Sequence, residues 1–183
     1  MTRTQTAAAA VPVPVLLDRV LVSLFFVLAT GLGAFVEVPL PFTPVPLTLQ
    51  TFFVLLGATL LARGWSVGSN AAYLGAGAAG AAFFAGGAAG LAHLWGPSAG
   101  YLWAFLPAAL LVSSLWGRCA GPGSRLALLA AADLLILAAG ALWLALFLRL
   151  SPAQALLMGV VPFLPGEALK VAAVAGLRPL LRR

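Results

Sequence analysis

The stretch "LDRVLVSLFFVLATGLGAFV", residues 17–36, is twenty residues long, and only its second and third residues are charged. A helix that crosses the hydrocarbon core of a bilayer needs roughly 20 predominantly apolar residues. The rest of the 183-residue chain has the same character, since 63% of its residues are hydrophobic and 8% are charged. Soluble domains carry about 25% charged residues. The sequence therefore predicts an all-α integral membrane protein.

Five further apolar segments follow this stretch, separated by breaks rich in glycine and proline. The first break, "EVPLPFTPVP", contains four prolines, which cannot continue a helix. Residues 85–99 are rich in glycine and predict an apolar loop folded over the membrane domain. We predict a flexible tail over residues 1–16 and a single transmembrane substrate-binding domain over residues 17–183. Its six predicted transmembrane helices cover residues 17–36, 47–62, 65–84, 100–116, 125–148 and 167–181, with a short helix over residues 152–161.

The arginines predict how these six helices are oriented. An even number of crossings places both termini on one side, and Arg149 is the only arginine that falls on the other side. Cytoplasmic loops carry an excess of Lys and Arg, so both termini are predicted to be cytoplasmic. The basic residues stand apart without forming a stripe, and the net charge of +6 therefore does not indicate nucleic-acid binding. The arginines on the terminal side are Arg3, Arg19, Arg63, Arg118, Arg125, Arg178, Arg182 and Arg183.

Two short motifs match enzyme patterns but lack the context that those patterns need. "GAGAAG", residues 75–80, matches a dinucleotide fingerprint, yet it lies inside an apolar span and not between a strand and a helix. We interpret it as close packing through small residues. "GPSAG", residues 96–100, matches a nucleophile elbow, but His93 has no acid nearby in the sequence to orient it. The single Cys119 allows no multi-cysteine metal site. No enzyme activity, catalytic residue, metal or cofactor is predicted.

Charge inside the apolar chain is rare enough to mark candidate functional residues. In "PFLPGEALK", residues 162–170, Glu167 and Lys170 stand three residues apart and share a face of a helix. The pair is either a structural ion pair or a polar clamp, in which Lys170 meets a ligand carboxylate or orients Glu167. Asp133 lies within the fifth predicted helix, either as a functional acid or as a buried acid that holds neighbouring helices together.

Three stretches together resemble the BioY family: "VPLPFTPVPLTLQTFFVLL" (38–56), "FAGGAAGLAHLWGPSAGYLWAF" (84–105) and "PFLPGEALK". BioY proteins are the biotin-binding S components of energy-coupling-factor (ECF) transporters, and the likeness runs from about residue 29 to residue 177. It implies a six-helix S-component fold, a high-affinity biotin site near the outer face and a place in a prokaryotic cell membrane. It also implies a membrane coupling subunit and two cytoplasmic ATPase subunits as partners. Where the family's last motif usually has aspartate, this chain has Glu167.

Biotin has an apolar bicycle, a hydrogen-bonding ureido head and a carboxylate tail, so its site needs polar anchors and apolar walls. The predicted substrate-binding residues are Glu167, Lys170, Phe84, Gly86, Gly87, Tyr101 and Phe163. Ala29 and Gly33 lie four apart on one face of the first helix and are predicted to meet the coupling subunit. Packing within the chain is the alternative for that face. Other functions left open are an S component for another small carboxylate-bearing vitamin, a small intramembrane enzyme and a scaffold protein.

Overall fold

The computed structural model describes residues 13–177, most of which are helical. The described chain forms seven α-helices and one two-stranded antiparallel hairpin, which pairs Glu37 with Thr48 and joins the first two helices. Short 3-10 turns cover Ala85–Gly87, Leu91–Trp95 and Trp116–Arg118. The predicted helical class is confirmed apart from the hairpin. The elements are α1 (Val13–Gly33), β1 (Glu37–Val38), β2 (Leu47–Thr48), α2 (Gln50–Leu60), α3 (Arg63–Ala78), α4 (Ala99–Leu115), α5 (Pro122–Leu148), α6 (Pro152–Gly159) and α7 (Leu164–Leu177).

Three helices of the described chain are long and apolar enough to cross a bilayer: α1, α4 with the turn that follows it, and α5. Helices α6 and α7 form a pair bent by 52°, which would make a fourth crossing. Helices α2 and α3 have 11 and 16 residues, and at about 1.5 Å per residue both are shorter than a hydrocarbon core of about 30 Å. The chain is thus a multi-pass membrane protein, and six crossings stay a prediction.

Several helix boundaries differ from those predicted. Helix α1 begins at Val13, inside the predicted tail, whose residues 1–12 lie outside the described part. Helix α3 ends at Ala78 and not at residue 84, because Gly80 adopts a φ of +113°, which ends the helix. Helix α7 begins at Leu164, so Pro165 lies in its first turn, where a missing N–H costs nothing.

The core lies where α4 and α5 pack along each other, with α2, α3 and α7 around them. Small residues allow the close approach of these helices. A Cβ atom at Gly140 of α5 would lie 2.2 Å from the ring of Tyr101 on α4, and one at Gly100 of α4 would lie 2.3 Å from Trp143 on α5. Helix α1 lies at the edge, and one side of it is exposed and apolar, through Leu17, Leu21, Leu24, Phe25, Leu28 and Leu32.

The predicted partner-binding residues lie on the other side of α1. Ala29 and Gly33 are both buried within the chain. A Cβ atom at Gly33 would come within 3.0 Å of the Phe53 ring and 3.2 Å of the Leu49 backbone. The structure therefore favours packing within the chain for this face, while contact with a coupling subunit stays a prediction.

Candidate ligand-binding site

A pocket opens at the hairpin end of the helix bundle, between the hairpin, the glycine-rich loop and helices α2, α4, α5 and α7. Its cavity volume is about 50 Å³, and a second, more open pocket that shares part of its lining measures about 320 Å³; small-molecule sites typically measure about 300–1,000 Å³. The pocket combines apolar walls with a polar floor. The walls include Val45, Leu102, Phe105, Ile136, Leu137 and Phe163.

The polar floor is built around Glu167 and Lys170, which are both buried. The Lys170 ammonium donates to Glu167 Oε1 at 2.6 Å, to Thr51 Oγ1 at 2.8 Å and to the Thr48 carbonyl at 2.6 Å. The Thr51 hydroxyl in turn donates to Glu167 Oε2 at 2.7 Å. Since an ammonium has three N–H donors, all of those on Lys170 are used within the protein.

The local sequence of α7 explains why the pair faces the pocket. Glu167 and Lys170 are three residues apart on one helix, so their side chains lie on the same face. Glu167 is in the first turn of α7, where the helix dipole favours an anion. Its backbone N–H donates to the Phe163 carbonyl at 2.9 Å, which brings the Phe163 ring and the Glu167 carboxylate to the same pocket.

A second acid lies beside this network. Asp133 of α5 is only 4% exposed, and its carboxyl is within hydrogen-bonding reach of Glu167. Its Oδ1 atom has no hydrogen-bond partner, and the three donors of Lys170 are directed elsewhere. Two acids are thus buried side by side at the floor of the pocket. The burial of Asp133 is confirmed, while a role in holding helices together, or in function, stays a prediction.

A further hydrogen-bonded chain ties the hairpin to the glycine-rich loop. Gln50 accepts from the Thr48 hydroxyl at 3.1 Å and donates to the hydroxyl of Tyr73. Tyr73 donates to the Phe83 carbonyl at 3.2 Å. Gln50 lines the pocket and is buried. This series of hydrogen bonds fixes the wall of the pocket next to the charged floor.

The structure brings three of the predicted substrate-binding residues, Glu167, Tyr101 and Phe163, to the pocket surface. The Tyr101 hydroxyl donates to the Gly159 carbonyl at 2.7 Å, which fixes the ring as a wall. Lys170 lies behind Glu167 and reaches the pocket only through it. Contact of any of these residues with a ligand stays a prediction.

The other three predicted residues lie away from the pocket surface. Phe84 is fully buried behind the glycine-rich loop, with its ring against Gly77. This contact confirms close packing within the "GAGAAG" motif at Gly77. Gly86 lines a second, more open pocket, and Gly87 lies beside Phe35. Both glycines have φ near +70°, so they bend the loop.

Three functional candidates were not predicted from the sequence: Thr48, Gln50 and Thr51, which surround the charged pair. They belong to "LTLQT", a polar group directly after the proline-rich break. That placement, inside an otherwise apolar chain, is the signal that could have marked them.

The "GPSAG" motif does not have the geometry of a nucleophile elbow. His93 and Ser98 both line the pocket, but no hydrogen bond joins their side chains, and Ser98 follows a 3-10 turn and not a strand. Within residues 13–177, no group of three or more His, Cys, Asp or Glu side chains could hold a metal ion.

The fold and the family of the chain follow from comparison with known proteins. A crystal structure, at 2.1 Å, of the S-component for biotin from an ECF-type ABC transporter is similar, with a TM-score of 0.84 and 24% sequence identity. The similarity covers 93% of this chain and 95% of that one, and it shows that this chain has the S-component fold. No curated protein sequence matches the chain. The family model described as "BioY family" matches residues 3–183. Because that match spans nearly the whole sequence, the chain belongs to the BioY family.

Proposed function

We propose that this chain is the biotin-binding S component of an ECF-type transporter and captures biotin at the outer face of a prokaryotic cell membrane. A membrane coupling subunit and two cytoplasmic ATPase subunits would then drive its import. The observation that carries the proposal is the pocket with apolar walls and a Glu167–Thr51–Lys170 floor. It occurs in a fold similar to that of an S-component for biotin.

The floor suits the ureido head of biotin. Each carboxylate oxygen of Glu167 accepts one bond within the protein, from Lys170 or Thr51, and keeps capacity for a second. Ureido N–H groups are donors of the kind that such an acceptor binds. The apolar walls, with Tyr101 and Phe163, suit the bicycle and its aliphatic chain.

Lys170 has the task of orienting Glu167 in this proposal. Its three donors are already bonded to Glu167, Thr51 and the Thr48 carbonyl. Meeting a ligand carboxylate would require one of these bonds to break. The sequence left two tasks open for Lys170, and the contacts favour orientation of Glu167 over contact with a ligand carboxylate.

The proposed topology has six crossings with both termini in the cytoplasm. The start of α1 and the α2–α3 connection lie at the same end of the bundle, where Asp18, Arg19 and Trp65 line one groove. Arg63 begins α3 at the same end, so Arg19 and Arg63 both lie there, which supports a cytoplasmic position of that end. The pocket lies at the opposite end, which is the outer face in this topology.

The test is binding of labelled biotin to the purified protein in detergent, without ATP or partner subunits. We expect saturable binding, recovery of unaltered biotin, and a large loss of affinity in Glu167→Ala. Leu169→Ala is the matched control on α7, since Leu169 is 73% exposed. Saturable binding of labelled nicotinate or pantothenate, with no binding of biotin, would instead favour another carboxylate-bearing vitamin. Chemical conversion of the ligand would favour an intramembrane enzyme.

A further inference from the structure

Beside this pocket lies the second, more open one, of about 320 Å³, whose lining does not include the residues of the charged floor. Four residues line both spaces and so form the neck between them: Pro46, Ala85, His93 and Ser98. Only His93 and Ser98 among the four have side chains that can form hydrogen bonds. A ligand held at the floor and extending outward passes these two side chains.

The His93 ring is held in place by stacking, but its hydrogen-bonding capacity is unused. It stacks on the ring of Phe84, with centroids 4.9 Å apart and planes 10° apart. Phe84 is fully buried, so it is a rigid support. Within the described chain, neither ring nitrogen of His93 makes a hydrogen bond, and the Ser98 hydroxyl does not cap α4. Both groups are therefore available to a ligand.

No other basic side chain of the described residues is placed to meet an anion in this passage. The donors of Lys170 are fully used at the floor. The described arginines line neither space. The charged groups that do face the passage are Glu37 on the outer wall and Glu167 at the floor, and both are acids. His93 is thus the one basic side chain along the path.

We propose that His93, assisted by the Ser98 hydroxyl, binds the carboxylate tail of the ligand while its hydrogen-bonding head lies at Glu167. This inference rests on the proposed function. It assigns the two ends of the ligand to opposite ends of the pocket, and it assigns recognition of the tail to a residue that was not among the predicted substrate-binding residues.

The inference predicts a dependence on pH with a definite sign. Burial lowers the pKa of His93, so without ligand the ring is largely neutral at neutral pH. A bound carboxylate stabilises the imidazolium, and binding of the acid therefore takes up a proton and strengthens as the pH falls. Of the nearby hydroxyls, Tyr73 is bonded to the Phe83 carbonyl and Tyr101 to the Gly159 carbonyl. Repulsion by Glu37 and Glu167 acts against the biotin anion and not against its uncharged amide. A preference for biotin therefore has the sign opposite to that of the two acids, and its loss on substitution of His93 isolates His93.

The experiment compares dissociation constants of biotin and biotin amide between pH 6 and pH 8. A hydrogen bond to a charged group contributes about 1.5–3 kcal/mol, so the wild type should prefer biotin by about tenfold or more. His93→Phe keeps the stacking on Phe84 but has no N–H. It should bind the amide as the wild type does and lose the preference for biotin. Leu91→Ala, at an exposed position of the same turn, should change neither.

A second variant guards against a folding defect. His93→Gln retains a donor but cannot titrate, so it should keep part of the preference and lose its pH dependence. Full preference for biotin in both variants, or an equal loss of both ligands in both, would overturn the assignment of His93. A wild-type protein that binds neither ligand would instead refute the proposed function, and the inference would fail with it.

Discussion

Lys170→Met removes the one cation of the pocket floor and keeps a long, flexible side chain in its place. Lys170 is 8% exposed, and its ammonium makes three hydrogen bonds, to Glu167, Thr51 and the Thr48 carbonyl. The substitution leaves the Glu167 carboxylate buried without its counter-ion and beside the Asp133 carboxyl. The folded variant must therefore hold a buried charge that Lys170 neutralises in the wild type.

The cost can be worked out from that geometry. Removing one partner of a buried ion pair destabilises a protein by about 3–5 kcal/mol, whereas replacing both partners is often neutral. For a chain of this size each kcal/mol shifts the melting temperature by about 2–4 °C. We expect Lys170→Met to melt about 6–20 °C below the wild type. The double variant Glu167→Gln/Lys170→Met should recover at least half of that loss.

The assays are thermal unfolding of the purified protein in detergent and binding of biotin and biotin amide. Lys170 acts through Glu167 and not on the ligand's tail, so Lys170→Met should weaken both ligands by the same factor. We expect that factor to be about tenfold or more, because Glu167 without Lys170 is no longer oriented to accept a hydrogen bond from the head of the ligand. The double variant should regain stability but not binding.

Two results would refute this reasoning. A melting temperature of Lys170→Met within about 2 °C of the wild type would show that the pair is not a buried, mutually neutralising one. A selective loss of biotin, with binding of the amide intact, would show that Lys170 meets the ligand carboxylate. That second result would also contradict the assignment of the tail to His93.

Three further expectations concern α5, α1 and the topology. Asp133→Asn keeps the shape of the side chain next to Glu167 and removes one of two neighbouring buried acids, so its melting temperature should equal or exceed that of the wild type; a clear decrease would show that the Asp133 carboxyl stabilises the fold. Gly33→Leu forces a side chain into the contact with α2 and should lower stability by about 1–3 kcal/mol; a fully stable variant that no longer co-purifies with the coupling subunit would restore the partner-binding prediction. In a background without the native cysteine, an impermeant reagent added to intact cells should label Ser98→Cys and not Ser124→Cys, and the reverse pattern would overturn the proposed orientation.

Much of the fold could be predicted because its signals are local. Apolar runs near twenty residues, the proline-rich break and the single arginines are properties of short segments, and they gave the helical membrane class correctly. The helix boundaries were less predictable. Gly80 ends α3 by adopting a positive φ, and the neighbouring sequence does not indicate which of its glycines does so. The hairpin was missed because its pairing joins Glu37 to Thr48, eleven positions along the chain and beyond the proline-rich break.

The candidate site divides in the same way. Glu167 and Lys170 were predicted because charge is rare in the chain and their spacing puts them on one helical face. Phe84 was predicted as a wall but supports His93 from behind, because which side of a loop residue faces a cavity depends on the packing around it. The role of Lys170 was equally open until its three donors were seen to be bonded.

The sequence by itself determined that this protein lies in a membrane and that it is helical, and it marked the acid and the amine of "PFLPGEALK" as candidate functional residues. These conclusions rest on composition and on spacing along one helix, which the chain carries without folding. Only the tertiary structure decided which distant residues complete the site. Thr51 reaches Glu167 across 116 positions of sequence, and Asp133 reaches it from α5. Such contacts arise when helices pack, and their partners are chosen by the geometry of that packing and not by any local pattern.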